Sequence, residues 1–180
     1  MSRIATLLAA ALIAVASTTF TASGSAGADG LDLTCTPPSS VGLRFDPPAT
    51  NTPQTQTLTA SRRYGPCVSP AHPDITSGTS DASGTFPGAT CLSLFGANSI
   101  TIHITWNNGQ TSTLSGNNVS SMAGATLTVV TTGTVTAGAF AGGTFVHTVV
   151  YPSPELLLCN LGLGTLPSLY GQVVLEILTP

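Results

Sequence analysis

The chain has 180 residues, a formal net charge of −3 and only 6% charged side chains, against roughly 25% in ordinary soluble domains. It contains no lysine, and from Ala82 to Pro154 it carries no Asp, Glu, Lys or Arg at all. That excludes the basic face nucleic acid requires and a polybasic patch for anionic membranes, and a 42% hydrophobic content excludes intrinsic disorder.

The chain opens with Met1-Ser2-Arg3, a short basic start, then an apolar run from Ile4 to Ala16 and a small-residue stretch ending Ala26-Gly27-Ala28. This is the layout of a secretory signal peptide, residues 1–28. The apolar run is shorter than the roughly 20 residues a membrane-spanning helix needs, so no stable membrane insertion is expected. The mature protein is expected to begin at Asp29, giving one domain over 29–180 that is secreted, extracellular or cell-wall associated. All four cysteines, Cys35, Cys67, Cys91 and Cys159, lie in that part. In an oxidising compartment they read as two disulfides with three possible connectivities, and none is close enough to another for a zinc-type pair.

Leu31, Leu33 and Cys35 alternate with polar neighbours as a first strand, broken by Pro37-Pro38; Val41, Leu43 and Phe45 form a second, ended by Pro47-Pro48. Gln54–Tyr64 reads as a Thr-rich strand with Leu58 and Ala60 in phase, carrying Arg62 and Arg63 near its end. Ile75–Thr79 is a weak strand, Asp81–Pro87 a loop, and Thr90–Phe95 a strand carrying Cys91. The strongest signal follows: Ile100, Ile102, Ile104 and Trp106 on one face, Thr101, His103, Thr105 and Asn107 on the other, then Asn108-Gly109. This predicts a hairpin with a two-residue type I′ turn, Thr105 facing Ser112 and His103 facing Leu114. Its Ile/Trp ridge must be buried against further strands.

After a polar turn at Gly116-Asn117-Asn118, Ala125–Thr136 is the longest candidate strand, with Leu127, Val129 and Val135 on one side and Thr126, Thr128, Thr132, Thr134 and Thr136 on the other. Thr144–Tyr151 places Phe145, His147, Val149 and Tyr151 on one face. Ser153-Pro154-Glu155 has the cap, proline and acid of a helix start, predicting one short helical turn near 154–158. Tyr170–Leu178 is the last strand. Eight or nine strands and one helical turn predict an all-β fold, a two-sheet antiparallel β-sandwich, immunoglobulin-like in general layout. Cys35 in the first strand and Cys67 just past the third sit where antiparallel partners return, so the expected bridges are Cys35–Cys67 and Cys91–Cys159.

No nucleophile elbow, zinc-protease signature or phosphate-binding glycine loop occurs. His103 with His147 is a conceivable surface metal pair, and His72-Pro73-Asp74 a conceivable half of a catalytic pair; neither is specific, and no metal, cofactor or catalytic residue is assigned. The signal segment, the four cysteines, the hairpin ITWNNGQTST and the segment TGTVTAGAFAGG together resemble uncharacterised secreted four-cysteine Thr/Gly-rich β-sandwich proteins of high-GC Gram-positive bacteria. That resemblance implies a fold and a compartment, and no activity. LTCTPP is similar to a segment of small secreted inhibitors of subtilisin-like proteases, although the cysteine spacing departs from theirs. The expected function is a secreted, non-catalytic binding or cell-surface interaction module, with an extracellular hydrolase or small protease inhibitor as the alternative. The row Thr126, Thr128, Thr132, Thr134 and Thr136 is the candidate contact face. An uncharged hydroxyl surface suits a neutral cell-wall polysaccharide or another surface protein, and bare strands leave self-association open.

Overall fold

The computed structural model describes residues 30–94 and 97–179; the signal segment and the expected start at Asp29 lie outside them. Among the described residues ten strands occur: β1 Leu31–Cys35, β2 Ser40–Ala49, β3 Gln54–Tyr64, β4 Cys67–Val68, β5 Gly78–Ala89, β6 Ala97–Trp106, β7 Thr111–Ala123, β8 Thr126–Gly138, β9 Thr144–Pro152 and β10 Leu166–Leu178. One α-helix, α1, spans Pro154–Asn160, and a 3-10 turn spans Cys91–Leu94.

The expected two-sheet sandwich is corrected. The strands form one closed eight-stranded antiparallel barrel in the order β2-β3-β5-β6-β7-β8-β9-β10, and β10 pairs back onto β2. Leu169 sits opposite Leu43 and Gly171 opposite Val41 at the closure. Beyond Gln172 the second half of β10 leaves β2 and pairs with β1 instead, Cys35 opposite Leu175; β4 flanks β1. A sandwich and a barrel both demand apolar-in, polar-out alternation with period two. The periodicity was therefore right about which face is buried and silent about how the wall curves.

The curvature has a visible source between β7 and β8. Gly116 lies opposite Gly133, and a Cβ on either would collide with backbone of the other strand, at Thr132 or Ser115. Two glycines facing each other let the strands approach and coil where any side chain would hold them apart. β7 and β8 consequently run 13 residues each, and the expected turn at 116–118 is absent; the chain turns at Gly124-Ala125.

Three local expectations change for identifiable reasons. Asp81–Pro87 is strand, not loop: its Gly/Ser/Asp content reads as turn, yet it pairs with β3 from Tyr64↔Gly78 to Gln54↔Ala89. Of the expected strand Thr90–Phe95, Phe95 lies outside the described residues and the rest is not a strand; Cys91–Leu94 is a 3-10 turn whose start is fastened by Thr90 N–H donating to Ser93 Oγ at 2.8 Å. The main hairpin is shifted by one residue, Thr105 facing Thr111 and His103 facing Thr113. Gly109 alone at the tip takes positive φ, 84°, and Trp106 N–H donates to the Gln110 carbonyl. That is the geometry of a three-residue loop closed by a left-handed glycine, not of a type I′ turn, which needs two such residues.

The cysteines pair as expected, Cys35–Cys67 and Cys91–Cys159, across sequence separations of 32 and 68. Loop closures of this length are worth roughly 3.7 and 4.4 kcal/mol in chain entropy. The second bridge fastens α1 to the 3-10 turn. α1 begins as read, with Ser153 Oγ accepting from Leu156 N–H at 3.1 Å.

Candidate functional site

Inward-facing side chains fill one half of the barrel and leave a cavity in the other. At the hairpin-tip end, Trp106 packs against Tyr64 and Phe140 at ring centroid distances of 6.3 and 5.9 Å, and His72 stacks edge-on against Phe140 at 5.0 Å. The indole N–H donates to Ser112 Oγ at 2.8 Å, and that hydroxyl donates to the Ala139 carbonyl. This end is a plug with its polar atoms satisfied.

The other half encloses a cavity of about 560 Å³, within the range of small-molecule sites. Its surface is mostly apolar, with Leu43, Leu58, Ile100, Val129 and Val149 among the lining residues. Arg62, Thr131 and His147, all buried, bring polar groups to it. Beside this half the pairing of the barrel wall is interrupted. β5 and β6 pair only at Gly78↔Trp106 and Thr79↔Thr105, and past that point they share no register. Phe86 on the β5 side and Asn98, Ser99 and Ile100 on the β6 side line the cavity, and Phe86 is 50% exposed.

Arg62 and Arg63 are adjacent in sequence and opposite in environment. Arg63 lies on the outer wall and pairs with Asp81 at 3.1 Å; Ser61 also donates to that carboxylate. These two hydrogen bonds, Ser61's first, hold Asp81 below the usual carboxylate range. Arg62 is 8% exposed, in phase with Ala60 and Leu58, and faces the lumen. Tyr64, one inward step further along β3, places its hydroxyl 3.4 Å from His147 Nε2. His147 is 3% exposed; burial, then the nearby Arg62 charge, pushes its pKa down to about 3, so the imidazole is neutral at ordinary pH. Burial raises the pKa of Tyr64 and of Tyr151, partly opposed by Arg62, and both hydroxyls keep their protons. Among the described residues no Asp or Glu lines the cavity.

The sequence-derived candidates are placed as follows. All five threonines of the predicted contact face lie on the outer wall; Thr132, Thr134 and Thr136 are exposed, Thr126 and Thr128 half-buried. β8 has both edges paired, to β7 and β9, so it is not a bare edge strand. His103 and His147 are not brought together: His103 is exposed outside and bonds Thr113 Oγ1 at 3.2 Å, while His147 is inside. Asp74 does not form a pair with His72 in the sense expected; its carboxylate accepts from Asn108 at 2.6 Å and braces the hairpin tip. Sequence reasoning missed Arg62 as a lumen residue. Its phase with Leu58 and Ala60 was a readable signal, obscured because Arg is so rarely an inward residue.

Comparison with protein-family models, with curated proteins and with solved structures finds no match.

Proposed function

We propose that this protein is a secreted, non-catalytic binding module that carries a small, largely apolar ligand in the lumen of its barrel. The observation behind this reading is the 560 Å³ mostly apolar cavity beside a wall interrupted between β5 and β6. An eight-stranded barrel is just wide enough either to fill its interior with side chains or to hold one small ligand. The polar lining favours binding over turnover, since it offers a neutral imidazole, hydroxyls, amides and one guanidinium, with no carboxylate among the described residues to exchange protons. Two disulfides suit an oxidising, extracellular setting. Among the described residues no helix is long and apolar enough to cross a membrane. The inward Ile, Leu, Phe and Trp with outward Thr and Ser invert the pattern of a membrane-spanning barrel.

A secondary contact is proposed for the outer threonine row of β8, with a neutral wall polysaccharide or another surface protein. It is favoured by the placement of all five hydroxyl-bearing residues on one uncharged face.

The test is titration of the mature, disulfide-intact protein with an apolar fluorescent dye. One saturable site is expected, and Val129→Phe, which adds bulk to the cavity wall, should abolish it while costing no more than about 1–3 kcal/mol of stability. Dye binding that is absent, or that survives the substitution unchanged, would refute binding in the lumen.

A further inference from the structure

Resting on that reading, we propose that the ligand is a single-chain amphiphile with an anionic headgroup, a carboxylate or a phosphate, held head-inward by Arg62. A guanidinium keeps its proton in any protein environment, so unlike a buried lysine Arg62 cannot lower its burial cost by becoming neutral. Burying an ion without a partner costs several kcal/mol. Inside the lumen the groups near Arg62 do not supply a counter-charge: His147 is neutral, Tyr64 and Tyr151 stay protonated, and among the described residues no acid lines the cavity; the one carboxylate that feels the Arg62 charge, Asp81, is on the outer wall, taken up by Arg63 and Ser61. Among the described residues Arg62 makes no ion pair and its guanidinium donates no hydrogen bond; its backbone pairs with β2 and β5, and its carbonyl also accepts from the Arg63 side chain. Ser120 Oγ, on the lining of the same cavity, is buried and also without a partner. Arg62 and Ser120 are therefore two polar groups of the lining that a ligand oxygen could satisfy.

The chemistry and the layout agree. A guanidinium offers paired N–H groups that match a carboxylate or phosphate edge, whereas a cationic ligand would add a second uncompensated charge and a neutral one would leave the first. β3 runs from Tyr64, in the packed end, through Arg62, Ala60 and Leu58 to Gln56, which sits opposite Phe86. The six steps along the strand from Arg62 to Gln56 span about 20 Å, the length scale of a long acyl chain. A head at Arg62 thus sends its tail past Leu58, Leu43, Ile100 and Val129 toward Phe86 and the interruption in the wall.

The experiment is competition for the lumen dye by hexadecanoate, hexadecyl phosphate and hexadecanol, on the wild type and on Arg62→Gln. Both anions should displace dye from the wild type at concentrations at least about tenfold below the alcohol, as a charge-assisted hydrogen bond of 1.5–3 kcal/mol implies; whichever anion is tighter identifies the headgroup. Arg62→Gln should erase that preference and leave the alcohol unchanged. The wild-type comparison decides the matter even if the variant fails to fold. An alcohol as tight as the anions, or an anion preference that survives Arg62→Gln, overturns the headgroup assignment and leaves lumen binding standing. A wild type that binds neither dye nor amphiphile overturns both.

Discussion

On β6 the inward row runs Ile100, Ile102, Ile104, Trp106, and on β9 it runs Tyr151, Val149, His147, Phe145. The two ends of these rows have different fates. Trp106 belongs to the interlocked aromatic end with Tyr64 and Phe140, and Phe145 is fully buried outside the cavity; Ile100, Val149 and Tyr151 line it. The alternation that builds the wall is the same throughout. What differs is side-chain size at each level of the lumen: rings that meet across one half, and aliphatic chains that stop short of one another in the other. Stability and binding are in this way assigned to separate halves of one barrel, and substitutions in the two should have different readouts.

The largest effect is expected in the packed half. Trp106→Ala should cost about 3–5 kcal/mol, measured by urea unfolding, because the indole contacts two rings and closes the Ser112 hydrogen bond. A cost below about 1 kcal/mol would mean the aromatic end is not the stabilising half. The next effect concerns the boundary between the halves. An unfolded His147 takes up a proton near pH 6.5, but a folded one only at about 3. Between those values the unfolded chain binds the extra proton, so stability from this group is present above pH 6.5 and is lost as pH falls, by up to about 1.4 kcal/mol per unit. His147→Gln should flatten that slope in urea unfolding followed across the interval; an unchanged slope would place the imidazole in contact with water.

Much of the wall was legible in the sequence. The Ile/Trp ridge and the helix start at Ser153 follow from residue type and spacing, because each rests on local geometry; the two disulfide pairings match the expectation, but Cys67 reaches β1 from β4 and Cys91 bonds from a 3-10 turn, not from the strands expected to bring them together. Closure was not legible. It depends on Ser40–Arg44 meeting Ser168–Gln172, a contact between residues more than a hundred positions apart that no local pattern encodes. β5 was hidden by its own composition, since Gly, Ser and Asp there are held extended by β3 and not by strand propensity. The cavity was hidden for a third reason: an inward Leu or Val reads as core whether or not anything opposite touches it.

The smallest effect is expected on the outer wall. Thr132→Lys with Thr134→Lys puts two charges on an exposed face, and surface changes away from caps, cores and networks usually stay within about 0.5 kcal/mol each. Urea unfolding should therefore barely move, and dye binding in the lumen should be unchanged, since the strand's inward residues Thr131, Gly133 and Val135 are untouched. Retention of labelled protein on cell-wall fractions separates the two proposed contacts. If the hydroxyl row binds a neutral polysaccharide, the double variant should lose retention that in the wild type survives high salt, because screening weakens only charge pairs. Retention that the lysines leave intact would remove the threonine row as a contact surface, and the lumen would then carry the binding activity alone. A large loss of stability would contradict the outward placement of β8's threonines, since a lysine is severely destabilising only where it must be buried.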